Sequence, residues 1–237
     1  MRRPLFLLAA ACAAFGVATP AVAATRNFTV TGFEQIRVEG PFRVKLMTGV
    51  PPSASATGTQ SALDRVAIDV LGRTLVVHSD VSAWSGDSDA DTGPVEIRIG
   101  THDLTSAALT GSGSLDIDTV TALSFTASAF GSGAIGIGKA DVDQLSVSLS
   151  GTSNAVVVGR AGTLTVSTLG TSAFDGTGLA VKDATIKAQG PATIKANVTN
   201  SATIQASGPA TVILTGNPGC TTHASGSSSV SGCRASQ

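Results

Sequence analysis

Six glycines, Gly111, Gly131, Gly151, Gly170, Gly190 and Gly208, follow one another at intervals of 20, 20, 19, 20 and 18 residues. So steady a period marks a repeat architecture, and it constrains the fold more than any other feature of the chain. Two residues after each glycine stands a small residue: Gly113, Gly133, Ser153, Ser172, Ala192 and Ala210. Four before stand Ala107, Ala127, Val147, Val166, Ile186 and Ile204, and four after stand Leu115, Ile135, Ala155, Phe174, Ile194 and Val212, all apolar.

Between these positions apolar and polar residues alternate, as in Leu145-Ser146-Val147-Ser148-Leu149-Ser150, so each unit reads as strand, tight turn, strand and corner. Helix is a poor alternative, because β-branched residues and glycines fill every unit and no 3.6-residue stripe runs through them. One such unit cannot bury its apolar face alone, whereas units stacked in register make a continuous core. The pattern predicts an all-β parallel β-helix, or β-solenoid, with rungs of about 18–20 residues. Small turn residues follow from the stack, since equivalent turns lie about 4.8 Å apart and glycine permits positive φ.

Upstream, Phe33 to Leu46 fits the same register around Gly40, with Ile36 four before and Val44 four after, but Phe42 stands where the repeat has a small residue. Residues 66–77 read as two strands joined by a tight turn at Gly72. A polar loop from Ser79 to Gly93 precedes a strand from Val95 to Ile99. The expected organisation is a signal peptide over 1–23 and a β section over 24–103 that caps and begins the solenoid. Repeat rungs then cover 104–219, and 220–237 form a C-terminal segment closed by a disulfide.

The N-terminus carries Arg2 and Arg3, an apolar run from Leu5 to Val17 and the small-residue site Ala21-Val22-Ala23, the pattern of a secretory signal cleaved after Ala23. The rivals are lipidation at Cys12, where three alanines precede the cysteine, and a membrane anchor, for which the run is short and broken by Gly16 and Pro20. Removing residues 1–23 takes two arginines and no acid, so the net charge moves from −1 to −3. A nucleic-acid partner would need clustered Lys and Arg, and none are present. No later segment is long enough to cross a bilayer. Low charge and positive mean hydropathy argue against disorder. Cys220 and Cys233 remain, and in an oxidising compartment they are expected to form a disulfide. The alternative, a thiolate metal site, has only His223 nearby and no fourth donor.

The opening pattern Phe33-x-x-Ile36-x-Val38-x-Gly40-x-Phe42-x-Val44 resembles that of the bacterial GIN-type domain family. The likeness extends to the Gly72/Leu75 strand pair and the serial turns Gly111-Ser112-Gly113 and Gly131-Ser132-Gly133. It spans about residues 33–215. The resemblance implies a right-handed β-helical fold, export, and an adhesin-like or cell-envelope role without an assigned catalytic site. The later turns depart from the pattern, becoming Gly190-Pro191-Ala192 and Gly208-Pro209-Ala210.

Several local patterns invite a chemical reading. Gly131 to Gly136 matches a dinucleotide fingerprint, and Gly133 to Ala140 nearly matches a phosphate loop, but both require a helix next, and a further repeat follows instead. Asp87, Asp89 and Asp91 alternate in the polar loop as calcium loops begin, although Thr92 replaces the turn glycine and Arg98 the closing glutamate. Calcium is therefore the one cofactor considered, at those three residues, against a solvated acidic loop. Asp116 with Asp118, and Asp141 with Asp143, share strand faces and raise polysaccharide lyase chemistry, yet no basic cluster accompanies them to stabilise a carbanion. His78, His102 and His223 are scattered. The single tryptophan, Trp84, lies beside the acidic run, which makes the 79–93 loop the first candidate for ligand contact.

The expected function is that of a non-enzymatic, exported β-solenoid, an adhesin-like or structural envelope module in the periplasm, on the outer surface or outside the cell. Its expected partners are surface or envelope glycans or proteins. The alternative is a polysaccharide-binding or polysaccharide-active β-helix protein using the 79–93 loop.

Overall fold

The computed structural model of the chain describes residues 24–80 and 94–234. The signal-peptide reading, Cys12, Trp84, Asp87, Asp89 and Asp91 all lie outside these residues. The chain opens with β1 (Ala24–Phe28), β2 (Gln35–Glu39), β3 (Arg43–Met47) and β4 (Ser53–Gly58). A single helical turn, α1 (Gln60–Leu63), follows, then β5 (Val66–Leu71), β6 (Thr74–Ser79), β7 (Glu96–Gly100) and β8 (Ser106–Gly111). Five long strands come next: β9 (Ser114–Gly131), β10 (Ala134–Gly151), β11 (Asn154–Gly170), β12 (Ala173–Gln189) and β13 (Thr193–Ser207). The chain closes with β14 (Thr211–Thr215), β15 (Gly219–Ser225) and β16 (Ser229–Ser231).

Each long strand is one rung of a parallel solenoid and bends where pairing skips a residue, as β9 does at Asp118 and Leu123 against β10. The first half of every rung pairs with first halves, in the order β3-β9-β10-β11-β12-β13-β14-β16. The second halves pair as β2-β8-β9 and onward to β13-β15. Between the second half of one rung and the first half of the next runs the predicted turn column, which has eight members: Gly40, Gly111, Gly131, Gly151, Gly170, Gly190, Gly208 and Gly226, all at positive φ. Each lies over the one before it.

The inward columns form one core. Val44, Leu115, Ile135, Ala155, Phe174, Ile194 and Val212 follow one another along it, each at most 1% exposed. Burying an aliphatic side chain of this kind contributes about 1.5–3 kcal/mol, so a rung supplying several of them holds its place. Size alternates where it must. Phe174 follows Ala155 in its column, and its ring reaches to within 2.7 Å of where a Cβ on Gly176 would stand.

The N-terminal rungs are not stacked in chain order. β6 and β7 pair with β2 and β3, so the rung containing them lies above the rung the chain makes first. Ser79, the last residue of β6, faces Gly40, its Oγ 3.5 Å from where a Cβ on Gly40 would stand. The Phe42 ring lies beside Gly40 and is only 6% exposed. Antiparallel strands complete this end, β1 on β4, β4 on β7 and β5 on β6. α1 adds buried Ala62 and Leu63, with Thr59 accepting from the Ala62 N–H at 3.2 Å as its N-cap. At the other end a disulfide joins Cys220 to Cys233 across a Cα separation of 5.7 Å. Among the described residues no helix is long and apolar enough to cross a membrane.

Candidate contact face

Outward side chains form columns as regular as the inward ones, and their character is set by what each rung places three, five and seven residues after its turn glycine. At three residues stand Ser114, Ala134, Asn154, Ala173, Thr193 and Thr211. At five stand Asp116, Gly136, Val156, Asp175, Lys195 and Ile213. At seven, β9, β10 and β11 carry Asp118, Gly138 and Val158.

Because β10 carries Ala134, Gly136 and Gly138, its outward surface is bare backbone, sunk between two rungs with side chains. The result is a trough of about 510 Å³. Asp116 forms one wall, and Asn154, Val156 and Val158 form the other. The Asp116 carboxylate leans over the gap, with Oδ1 2.8 Å from where a Cβ on Gly136 would be. Val156 and Val158 are 47% and 43% exposed, which is costly for an aliphatic wall that meets only water. Beyond the β11 ridge, Ala173 opens a second hollow of about 250 Å³ bounded by Thr193 and Lys195.

The charged groups around the troughs differ in how firmly they are held. Asp118 accepts from the backbone N–H of Thr48 at 3.0 Å, as well as from its own neighbour Thr119. Asp175 accepts from the hydroxyl of Thr177 at 2.7 Å and its N–H at 3.1 Å. These bonds, with Lys195 on the next rung, hold its carboxyl below the usual range. Asp141 is engaged by Arg160 in a two-pronged pair with both N···O distances 2.6 Å, which lowers its pKa. Thus two of the four acids that raised lyase chemistry, Asp118 and Asp141, are tied into local bonds. His78 lies in the β5–β6 hairpin, 3.1 Å from Asp69, whose hydrogen bond raises the imidazole pKa. Strand follows Gly133, so neither nucleotide-like glycine cluster meets a helix N-terminus. Among the described residues no group of three or more His, Cys, Asp and Glu gathers where a metal ion would sit.

The second-half face is different. It carries Ser106, Thr126, Ser146, Thr165, Thr185, Thr203 and Thr221 in one unbroken hydroxyl column. Sequence reasoning assigned a contact site to the 79–93 loop and overlooked the trough. Its signal was present in Gly136 and Gly138, at outward positions where β9 places acids and β11 valines.

The fold is a parallel β-solenoid with a groove on its first-half face. Residues 32–218 match the family described as "Putative auto-transporter adhesin, head GIN domain", and the chain belongs to that family. It is similar to the crystal structure of a "putative adhesin" from Bacteroides fragilis, with TM-score 0.76 and 17% identity over 86% of this chain and 94% of that one. A "putative lipid binding protein" from Parabacteroides distasonis has TM-score 0.66 and 18% identity, over 89% of this chain and 96% of that one. A "putative adhesin" from Parabacteroides merdae has TM-score 0.64 and 15% identity over the same two shares. At these identities the likeness establishes the fold. Among curated proteins none matches the chain.

Proposed function

We propose that this protein is an exported, non-enzymatic adhesin-like module of the cell envelope that contacts its partner through the first-half face of the solenoid. The observation that carries the reading is the β10 trough. A preformed groove with one acidic and one exposed aliphatic wall, mounted on a rigid stack, is suited to holding a surface molecule without reorganising. Membership of the adhesin-head family and the Cys220–Cys233 disulfide support export, since disulfides persist in oxidising compartments.

Gly136→Arg fills the trough from its floor, and Val156→Asp reverses the character of one wall. Both positions point outward, so the fold should survive. Cells displaying either variant should adhere to envelope fractions or surface glycans at least about tenfold less than wild type, a loss of roughly 1.4 kcal/mol. Wild-type adherence by both variants would sink the proposed face. Recovery of the chain only in the cytoplasmic fraction would sink the proposed export.

A further inference from the structure

The two ends of the solenoid are finished differently. At the N-terminal end, antiparallel strands and α1 cover the core, and their side chains carry charge. Arg26 pairs with Asp64, and Asp69 on β5 pairs with His78. Charged edge strands resist further strand addition. At the C-terminal end β15 pairs with β13, its one strand partner among the described residues, from Ser201↔Gly219 to Ser207↔Ser225. β16 pairs likewise with β14 alone.

The inward column runs out here. Ile204 and Ala206 are 0% and 2% exposed, while their successors Thr222 and Ala224, in the same inward register, are exposed. The disulfide holds one side of this last rung and leaves those two positions uncovered. β15, seven residues long, contains no Lys, Arg, Asp, Glu or Pro, so neither a charge from one of those four side chains nor a proline blunts its edge.

We infer that β15 is the pairing edge for a second copy of this chain, the two solenoids meeting end to end about a two-fold axis with β15 antiparallel to the partner's β15. An antiparallel pairing of a strand with itself is isologous, so both open ends are used at once and assembly stops at two. Antiparallel addition is also how this fold closes its other end. Thr222 and Ala224 of each copy would then cover the core of the other, and a threonine is already accommodated inside the stack at Thr168, 1% exposed. Head-to-tail stacking would instead press the charged N-terminal end, with Arg26, Asp64 and Asp69, against an uncharged strand and leave those charges without water.

Sedimentation velocity of the mature, disulfide-intact protein from about 5 µM to about 1 mM tests this, a range that covers the affinity of a small interface. The expected result is a concentration-dependent monomer–dimer equilibrium. Thr222→Lys, and independently Ala224→Lys, places a charge on the inward side of β15, which is exposed in the single chain. Each should raise the dimer dissociation constant at least about tenfold with circular dichroism unchanged. Thr221→Lys, on the outward side of the same strand, should leave dimerisation intact. A monomer at every concentration, open-ended filaments, or dimers indifferent to both inward lysines would each overturn the inference.

Discussion

The carbonyl oxygen of Gly111 lies 2.7 Å from the point where a Cβ on Gly131 would stand. Gly131 also has φ +108°, where an L side chain is strained even in open space. Rung spacing and turn geometry thus exclude a side chain independently, and the obstacle is backbone, which cannot step aside.

Gly131→Ala is accordingly expected to cost about 2–4 kcal/mol, combining overpacking with backbone strain. Gly49 separates the two causes, because its φ is +71° with no atom near the Cβ position. Gly49→Ala should cost only about 1 kcal/mol. Urea unfolding of the two variants measures the difference, and equal losses would mean that stacking contributes nothing.

Ser153 and Ser172 occupy equivalent inward turn positions on successive rungs. The Ser153 hydroxyl donates to the carbonyls of Ser150 at 3.1 Å or Ala129 at 3.2 Å, whereas Ser172 Oγ is buried without a hydrogen-bond partner. Ser172→Ala should therefore stabilise the protein by about 1 kcal/mol and Ser153→Ala destabilise it by a similar amount. The following rungs already carry Ala192 and Ala210 at this position. Thermal unfolding reads the opposite signs directly.

Replacing both Cys220 and Cys233 by alanine releases a cross-link between residues 13 apart and should cost about 3 kcal/mol. The loss is expected to be local before it is global. In hydrogen exchange, the amides of β15 and β16 should lose protection first, while β9 to β12 keep theirs.

The Asp69 hydrogen bond raises the His78 pKa in the folded chain. Its stabilisation is therefore fully present below the unfolded value near 6.5 and fades as pH rises through the folded one. Both groups are more than a third exposed, so solvent screening keeps the effect under about 1 kcal/mol. An NMR titration should place His78 above the ordinary imidazole value, and Asp69→Asn should bring it back down.

The turn column and the inward register were legible because each recurs in every rung, so one reading of Gly131 and Ile135 serves for Gly151 and Ala155. The Cys220–Cys233 pair was equally plain. What escaped was whatever depends on segments meeting across the chain. Pairing of Ile36 with both Leu75 and Ala107 places β2 between strands from later in the sequence, and no local period encodes that. The short helix at Gln60–Leu63 has only the Thr59 cap to announce it. The trough escaped because a groove is made of absent side chains, and Gly136 becomes a floor only when Asp116 and Val156 stand on either side.

The placement of β2 and β3 beneath β6 and β7 has a consequence for how the molecule is made. As the chain emerges from its N-terminus, its earliest rung gains a neighbour on one side only when β6 and β7 arrive, and on the other only when β8 and β9 follow, so it stays incomplete until well past residue 111. Thereafter each unit of some twenty residues meets a completed edge and adds to it through short-range contacts, which close quickly. Assembly is therefore slow to begin and then runs in one direction, like a zip whose first teeth must be set by hand.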